Sequence, residues 1–333
     1  MGKLNFAVIG AGRFGKHYIR ILQDTNDAEL FGVAANTAKT LDLIKNDVGS
    51  STILTNNDDS LIKNKNVDCV VIAAPPSTHF GLAKKALEAG KNVLVEKPMV
   101  ASLKEAKLLK GIVKKHKSAF MVGHQYLYND YVRYLSHSIK KGLLGKPEIV
   151  IAKYLYPEPV RNDIGCFWDA GTHYMSMIQH LFNPGPITEV EGKSISVTGK
   201  FDDFTSAIIK FRSGLIASLT VSWLYPEKTR KFMVLGTKQA AVFDDFEEND
   251  KLKFFPRLKT IKNNSIYGIL DANHVKSAMP SINAKEPLKN EIGHFIGCIK
   301  NNKKPLTGIE HSYQITEWLD KISRELKMPG YKG

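Results

Sequence analysis

The sequence predicts an α/β protein in two parts: an N-terminal doubly wound parallel sheet, and a C-terminal α+β part built on a large, open, mostly antiparallel sheet. Three observations carry this. Short apolar runs alternate with helical patterns over the first 120 residues or so. A glycine-rich turn joins the first of those runs to the first helix. Beyond residue 187 the pattern changes to period two. With 333 residues the chain is longer than one hydrophobic core usually organises, so two domains are expected, residues 1–123 and 124–333.

Composition narrows the class. Apolar residues at 43% and charged residues at 24% are ordinary for a globular enzyme. No apolar run approaches the roughly 20 residues that span a bilayer, and the start enters a strand with no room for a signal peptide. Cys69, Cys166 and Cys298 are odd in number and far apart, which indicates neither a disulfide framework nor a metal knuckle. A cytoplasmic protein without metal or membrane partner is expected. The net charge of +14 invites nucleic-acid binding. The lysines, however, gather at helix ends: Lys114, Lys115 and Lys117, then Lys140 and Lys141, then Lys300, Lys303 and Lys304. Cations there complement the helix macrodipole. No nucleic-acid partner is therefore expected, and the excess charge is left to attract anionic substrates.

In order, Leu4–Ile9 reads as a buried strand feeding Gly10-Ala11-Gly12-Arg13-Phe14-Gly15, with a helix after it whose inner stripe is Tyr18, Ile19 and Leu22. This is G-x-G-x-x-G between strand and helix, the setting in which it binds dinucleotides. The first two glycines allow a tight turn and close approach to a pyrophosphate, and the third lets helix and strand pack. Free N–H groups at the helix start then face the phosphates. Glu29–Ala35 is the second strand of this Rossmann pattern, ending at Asn36-Thr37. An acid at that point would bond the ribose hydroxyls and repel a 2′-phosphate. Asn36 does the first without the second, and Lys39 lies close by. The absence of an arginine favours NAD, with NADP left open. Val67–Ala74 is a further strand, stopped by Pro75-Pro76-Ser77-Thr78-His79. Pro76 suits the first turn of a helix, where Ser77 and Thr78 can satisfy backbone donors. His79 either meets the cofactor or caps and packs.

Val93-Leu94-Val95 then runs into Glu96-Lys97-Pro98. Charge at the carboxyl end of a parallel strand points into the ligand crevice, and proline holds Lys97 on a stiff turn. The alternative is a surface salt bridge at a strand-to-helix turn. After a helix from Leu103 to His116 and a strand at 119–122, Gly123–Asn129 crosses into the second part. Its Tyr126 and Asn129 suit a sugar or nicotinamide neighbour, and equally an interdomain core. A helix to Lys141 and a strand from Ile149 to Tyr156 lead to a polar loop with Arg161, Asn162 and Asp163, which either clamps a phosphate or is simply flexible. In Trp168–Met177, read as one helix, Asp169 and His173 stand at i and i+4 on one face. A carboxylate there orients an imidazole and raises its basicity; the plain alternative is an Asp cap over a packed histidine. Leu215, Ala217, Leu219, Val221 and Trp223 alternate with Ile216, Ser218, Thr220 and Ser222, and Arg212-Ser213-Gly214 makes a hairpin to Ala207–Phe211. Gly236-Thr237-Lys238 makes another, and helices from Leu288 and Tyr313 end the fold. The sheet's small, polar face is either solvated or a subunit contact.

Gly10-x-Gly12-x-x-Gly15, Glu96-Lys97-Pro98 and Asp169-x-x-x-His173 together resemble the glucose–fructose oxidoreductase and inositol dehydrogenase family. The resemblance covers nearly the whole chain. It implies a nicotinamide-binding first domain, homo-oligomer contacts through the open C-terminal sheet, and Lys97, Asp169 and His173 as the catalytic trio. The stretches Gly123–Asn129, Arg161-Asn162-Asp163 before Trp168-Asp169, and Ser222–Pro226 look like a branch similar to UDP-N-acetylglucosamine 3-dehydrogenases. That branch makes a 3-keto sugar for amino-sugar lipids or polysaccharides. Many relatives carry an acid where this chain has Asn36. On this footing cofactor contacts are expected at Gly10, Gly12, Arg13, Phe14, Gly15, Asn36, Thr37, Ala74, Pro75, His79, Glu96 and Lys97, and substrate contacts at Tyr126, Asn129, Arg161, Asp169 and His173. A polyol dehydrogenase or keto-sugar reductase of the same fold is the first alternative. A nicotinamide-sensing or nucleic-acid-binding protein is the second.

Overall fold

The structure, a computed structural model, describes residues 2–257, 260–261, 269–270 and 277–333. Two compact units are present: Met1–Tyr128 with Lys285–Lys321 and Lys332–Gly333, and Asn129–Ala284 with Ile322–Tyr331.

The first unit opens with β1 (Leu4–Ile9), α1 (Arg13–Gln23) and β2 (Ala28–Ala34). The short α2 (Ala38–Asp42), β3 (Ile53–Thr55) and α3 (Asp58–Ile62) follow. Then come β4 (Cys69–Ile72), α4 (Pro76–Glu88), β5 (Asn92–Glu96), α5 (Leu103–Lys115) and β6 (Phe120–Gly123). All six strands are parallel, in the order β3-β2-β1-β4-β5-β6. Parallel sheets are covered on both faces, which is why Cys69–Ile72 and Val93–Val95 are continuous apolar runs and wholly buried. α1 buries Gly15, Tyr18, Ile19 and Leu22, the spacing of one helical stripe. Strand order reverses between β1 and β4, and the crevice outside the carboxyl ends at such a reversal is where ligands bind in open α/β sheets.

The second unit contains α6 (Asp130–Lys140), β7 (Pro147–Leu155), a π turn at Phe167–Gly171, and α7 (Thr172–Phe182). β8 (Ile187–Ile195), β9 (Phe204–Phe211), β10 (Ile216–Ser222), β11 (Thr229–Gly236), β12 (Gln239–Asp244) and β13 (Leu252–Pro256) follow. β14 (Thr260–Ile261) and β15 (Ile269–Leu270) form a separate short pair. The seven-stranded sheet runs β13-β12-β11-β7-β10-β9-β8, and only β7 and β10 pair in parallel. Its inner face is apolar through Ala217, Leu219, Val221, Ala207 and Ile209. Its outer face is more apolar than the small polar residues of β10 suggest. Ile216 stands opposite Ile149, and Ser218 lies between Ile151 and Ile208. Ile149, Ile208 and Ile216 are all exposed.

Two expectations are corrected. The chain does not divide into 1–123 and 124–333: the 3-10 turn at Gln125–Tyr128, α8 (Pro287–Lys300) and the greater part of α9 (Ile309–Glu325) belong to the first unit. Phe295 of α8 meets Phe6 of β1 edge-on at 6.4 Å between ring centroids. An apolar stripe shows that a helix is covered, and nothing in it says by which sheet. Asp169 and His173 do not share one regular helix either, since Asp169 lies in the π turn and His173 in α7.

The π turn is held from the side. Asp202 is buried, and its Oδ2 accepts the Phe167 N–H at 2.9 Å, the Thr205 hydroxyl at 3.1 Å and the Cys166 thiol at 3.2 Å. Gly165 leaves room for that carboxylate, since a Cβ there would collide with Asp202 Oδ1. Burial pushes the Asp202 carboxyl up, and the three donors oppose the shift. Replacing Asp202 by Ala strands the buried Phe167 N–H and removes the acceptor of Thr205 and Cys166, and should lower stability by about 2–4 kcal/mol in denaturant unfolding. A loss within about 0.5 kcal/mol, the range of ordinary surface changes, would show that the turn does not depend on it.

Candidate active site

The turn after β1 is built from backbone contacts. Gly10 has φ +101°, and a Cβ on it would lie 2.5 Å from the Ala73 carbonyl oxygen and 2.8 Å from the Ala74 nitrogen. A Cβ on Gly15 would collide with the Gly10 carbonyl. Gly12 differs, with nothing within 4 Å of its would-be Cβ. It is the N-cap of α1, no side chain caps that helix, and its first turn holds no acidic residue. The N–H groups of the first turn therefore face open space with positive partial charge. Donors of this kind suit a diphosphate. Arg13 and Gly12 are exposed and Phe14 half-buried at the same place.

Around this turn the other expected cofactor residues fall into two groups. Asn36 is exposed just past β2, and Thr37 is the N-cap of α2, its hydroxyl accepting the Thr40 N–H at 3.2 Å. Ala74 and Pro75 lead into α4, which also lacks a side-chain cap. The capping expected of Ser77 and Thr78 is thus corrected: no side chain caps the helix, and the Thr78 hydroxyl and N–H both donate to the Pro75 carbonyl, at 2.7 and 2.8 Å. His79 is fully buried, with Nδ1 2.9 Å from the Pro98 carbonyl and Nε2 2.9 Å from the Ala74 carbonyl. Both neighbours are carbonyls and a neutral imidazole has one N–H, so His79 donates to one of them and lies against the other, between the turn after β4 and the turn after β5.

That second turn holds Lys97 half-buried at the carboxyl end of β5, before a cis peptide to Pro98. Oε2 of Glu96 accepts the Lys97 N–H at 3.1 Å, and Glu96 Oε1 accepts the Tyr18 hydroxyl at 2.6 Å. Sequence reasoning passed over His124, which follows β6. It is buried, and neither ring nitrogen has a hydrogen-bond partner among the described residues. Its ring lies edge-on to His311 at 5.4 Å. Burial first, then His311 and Lys97, hold its imidazole well below the usual histidine range, so it stays neutral. Tyr126 is buried in the 3-10 turn beside it. Of the lysines at helix ends, Lys114, Lys117, Lys303 and Lys304 line one cleft of about 730 Å³ that includes the first residues of β5 and β6.

In the second unit His173 is buried and stacks on Tyr154, 5.9 Å between centroids and 9° between planes. The Arg230 guanidinium covers the Tyr154 ring at 4.6 Å and sits 5.1 Å from Tyr156 and 5.0 Å from Phe246. This aromatic box was not foreseen, although Tyr154 and Tyr156 alternate at the end of a strand. Burial pushes the Tyr154 phenol up, opposed by Arg230 and reinforced by Asp169. Arg161 is forked onto Asp163, with Nε to Oδ1 at 2.9 Å and Nη2 to Oδ2 at 3.0 Å. Burial of that guanidinium is outweighed by Asp163 and Asp169, which hold it above its ordinary value. Asp169 thus lies within electrostatic reach of both Tyr154 and Arg161. Asn129 caps α6, its Oδ1 accepting the Tyr131 and Val132 N–H groups at 2.9 and 3.4 Å, which leaves its NH2 group to meet a ligand. Among the described residues no group of three or more His, Cys, Asp or Glu is placed to hold a metal. No described helix is long and apolar enough to cross a membrane.

A doubly wound sheet with a bare phosphate cradle and a lysine turn on its ligand-binding rim defines a dinucleotide-dependent oxidoreductase. Residues 4–124 match the oxidoreductase family with an NAD-binding Rossmann fold, GFO_IDH_MocA, and residues 132–242 match the C-terminal domain model of the same family. The chain belongs to the Gfo/Idh/MocA oxidoreductase family, and its cofactor is NAD. It is 27% identical over 179 residues to the UDP-N-acetylglucosamine 3-dehydrogenase of Acidithiobacillus ferrooxidans, 54% of this chain and 56% of that protein. It is 25% identical over 230 residues to the inositol 2-dehydrogenase of Rhizobium meliloti, 66% of this chain and 68% of that one. The solved structure of the Acidithiobacillus enzyme shares the fold, with a TM-score of 0.81 at 20% identity over 97% of both chains.

The glycines separate fold from binding. Gly12→Ala should leave the melting temperature unchanged and weaken NAD binding at least about tenfold by calorimetry, because its Cβ enters only the space a diphosphate needs. Gly15→Ala should lose both stability and binding. Unchanged NAD affinity in Gly12→Ala would remove the cradle.

Proposed function

We propose that the protein oxidises a secondary hydroxyl of a sugar to a ketone, and that the substrate is a nucleotide sugar such as UDP-N-acetylglucosamine, reacting at C3 to supply amino-sugar lipid or polysaccharide synthesis. The observation that carries the reading is the half-buried Lys97 at the carboxyl end of β5, in the same unit as the uncapped start of α1. Bound NAD supplies the two-electron acceptor. His173 takes the hydroxyl proton as general base, with Asp169 favouring the charge that then forms on the imidazole. Lys97 donates a hydrogen bond to the sugar oxygen and stabilises the negative charge that grows on it before the C=O forms. Asn129 and Tyr126 offer polar and aromatic edges to a sugar, and Arg161 offers a cation to a diphosphate. Membership of the family and likeness to a UDP-N-acetylglucosamine 3-dehydrogenase support the choice of sugar. Likeness to an inositol dehydrogenase over a longer stretch supports a polyol as the second reading.

Homo-oligomer contact through the outer face of the second unit's sheet belongs to the same proposal. It rests on the exposed, contiguous Ile149, Ile208 and Ile216, since an apolar patch of this kind marks interaction surfaces.

Lys97→Met and His173→Ala should each lower kcat on UDP-N-acetylglucosamine by about 100-fold or more while leaving NAD affinity within about threefold. Wild-type rates in both would remove the mechanism. A screen of UDP-sugars, free hexoses and inositol by absorbance of reduced nicotinamide separates the two substrate readings, and turnover of inositol alone would favour the polyol. Ile208→Glu with Ile216→Glu should reduce the assembly measured by light scattering to a monomer with native circular dichroism. A wild-type monomer, or an unaltered assembly in the double variant, contradicts the interface.

A further inference from the structure

Three buried ionisable groups of the first unit meet behind the Lys97 turn. The hydroxyl of Tyr18, on α1, lies 2.6 Å from Oε1 of Glu96 and 2.9 Å from Oε1 of Glu291, on α8. Tyr18 and Glu291 are fully buried and Glu96 is 6% exposed. β6 closes the cluster, since a Cβ on Gly123 would stand 3.0 Å from Glu96 Oε1 and 3.1 Å from the Tyr18 hydroxyl.

A phenol has one proton and donates to one oxygen. Its second contact is a hydrogen bond only if the other carboxyl carries a proton and donates to the phenol oxygen. One of the two glutamates must therefore be neutral, and the oxygens that do not touch Tyr18 decide which. Oε2 of Glu96 accepts the Lys97 N–H at 3.1 Å. Oε2 of Glu291 is buried with no hydrogen-bond partner among the described residues. An unpartnered oxygen is far less costly on a neutral acid than on a carboxylate.

We infer that Glu291 is a permanently protonated acid, donating to Tyr18, which donates to an ionised Glu96, and that this chain makes Glu291 a positioning residue for the Lys97 turn. Among the described residues, the titratable groups that act on Glu291 or feel its charge are Tyr18 from α1, Glu96 from β5 and Tyr128 from the 3-10 turn, and none of these three is a cation. Burial and then the Glu96 charge push the Glu291 carboxyl well above its usual range. Burial and then Glu291 push up the Tyr128 phenol. The positioning half of the inference rests on the proposed role of Lys97, and the protonation half does not.

The unfolded chain loses this proton near the ordinary glutamate value, about pH 4.3, while the folded chain keeps it. A raised native pKa gives stability that is complete below that value and declines as pH rises, until the folded group ionises. Glu291→Gln keeps a donor to Tyr18 and removes the titration. Between about pH 6 and about pH 8 the unfolding constant of the wild type should therefore rise about tenfold per pH unit relative to Glu291→Gln. With 13Cδ-labelled glutamate, one carboxyl resonance should remain at its protonated position near neutral pH and vanish in Glu291→Gln. No such resonance in the wild type overturns the assignment, as does its loss in Glu96→Gln with survival in Glu291→Gln. Tyr18→Phe should speed exchange of the Lys97 amide proton about tenfold and lower kcat by a similar factor, while Glu291→Gln keeps kcat within about twofold. Unchanged amide exchange in Tyr18→Phe overturns the positioning role. If the wild type turns over no sugar, it is the functional reading that fails, and the carboxyl resonance and amide exchange still decide this one.

Discussion

The chemical end of the first unit depends on one steric constraint: where α1 leaves β1, backbone touches backbone. Gly10, Gly15 and the Ala73 carbonyl leave no volume for a Cβ at either glycine. Because α1 sits that close, its uncapped N–H groups open at the carboxyl ends of β1 and β4, and its inner stripe carries Tyr18 down to the end of β5. The same approach that makes a phosphate cradle on one side brings a phenol to Glu96 on the other. Loosening it would cost the fold, the cofactor and the Lys97 turn together, which is why a residue with no side chain is required at positions that bind nothing through a side chain.

Around that constraint the first unit keeps its charged groups under separate control. Glu96 has two donors, the Tyr18 hydroxyl and the Lys97 N–H. His79 lies between the carbonyls of Ala74 and Pro98, each 2.9 Å from a ring nitrogen. His124 is kept neutral by burial and by His311 and Lys97. The bonds to Glu96 fix the backbone at the turn that presents Lys97, and such a rigid turn would suit the proposed alignment of a small alcohol. In the second unit the corresponding device is a departure from regular helix. The π turn that carries Asp169 is fixed by Asp202, and π turns occur often at functional sites.

The sequence disclosed what is local. The glycine motif, the apolar strands around it and the charged stop at Glu96-Lys97-Pro98 each carry their physics within a few residues, so the parallel sheet and the turns after β1 and β5 were legible. So were the hairpins at 212–214 and 237–238, whose strands alternate cleanly. What was hidden depends on partners far along the chain. Asp202 imposes the π turn from 35 residues away, and Phe167–Gly171 read as ordinary helix. α8 shows an apolar stripe, and nothing in its own letters assigns it to the first unit. Glu291 looks like any polar residue of that helix until Tyr18, 273 positions earlier, is found against it. The short α2, β3 and α3 lack the length that makes periodicity visible.

In the proposed reaction a sugar C–H would deliver its hydrogen directly to bound NAD, while the chain handles only the hydroxyl proton. UDP-N-acetylglucosamine carrying deuterium at C3, incubated with the protein and NAD, tests it most directly by mass spectrometry of the nicotinamide product. Direct transfer would leave that deuterium at C4 of the reduced nicotinamide ring. Reduced NAD without the label, or a sugar converted with no net reduction of NAD and the deuterium lost to solvent, would contradict it.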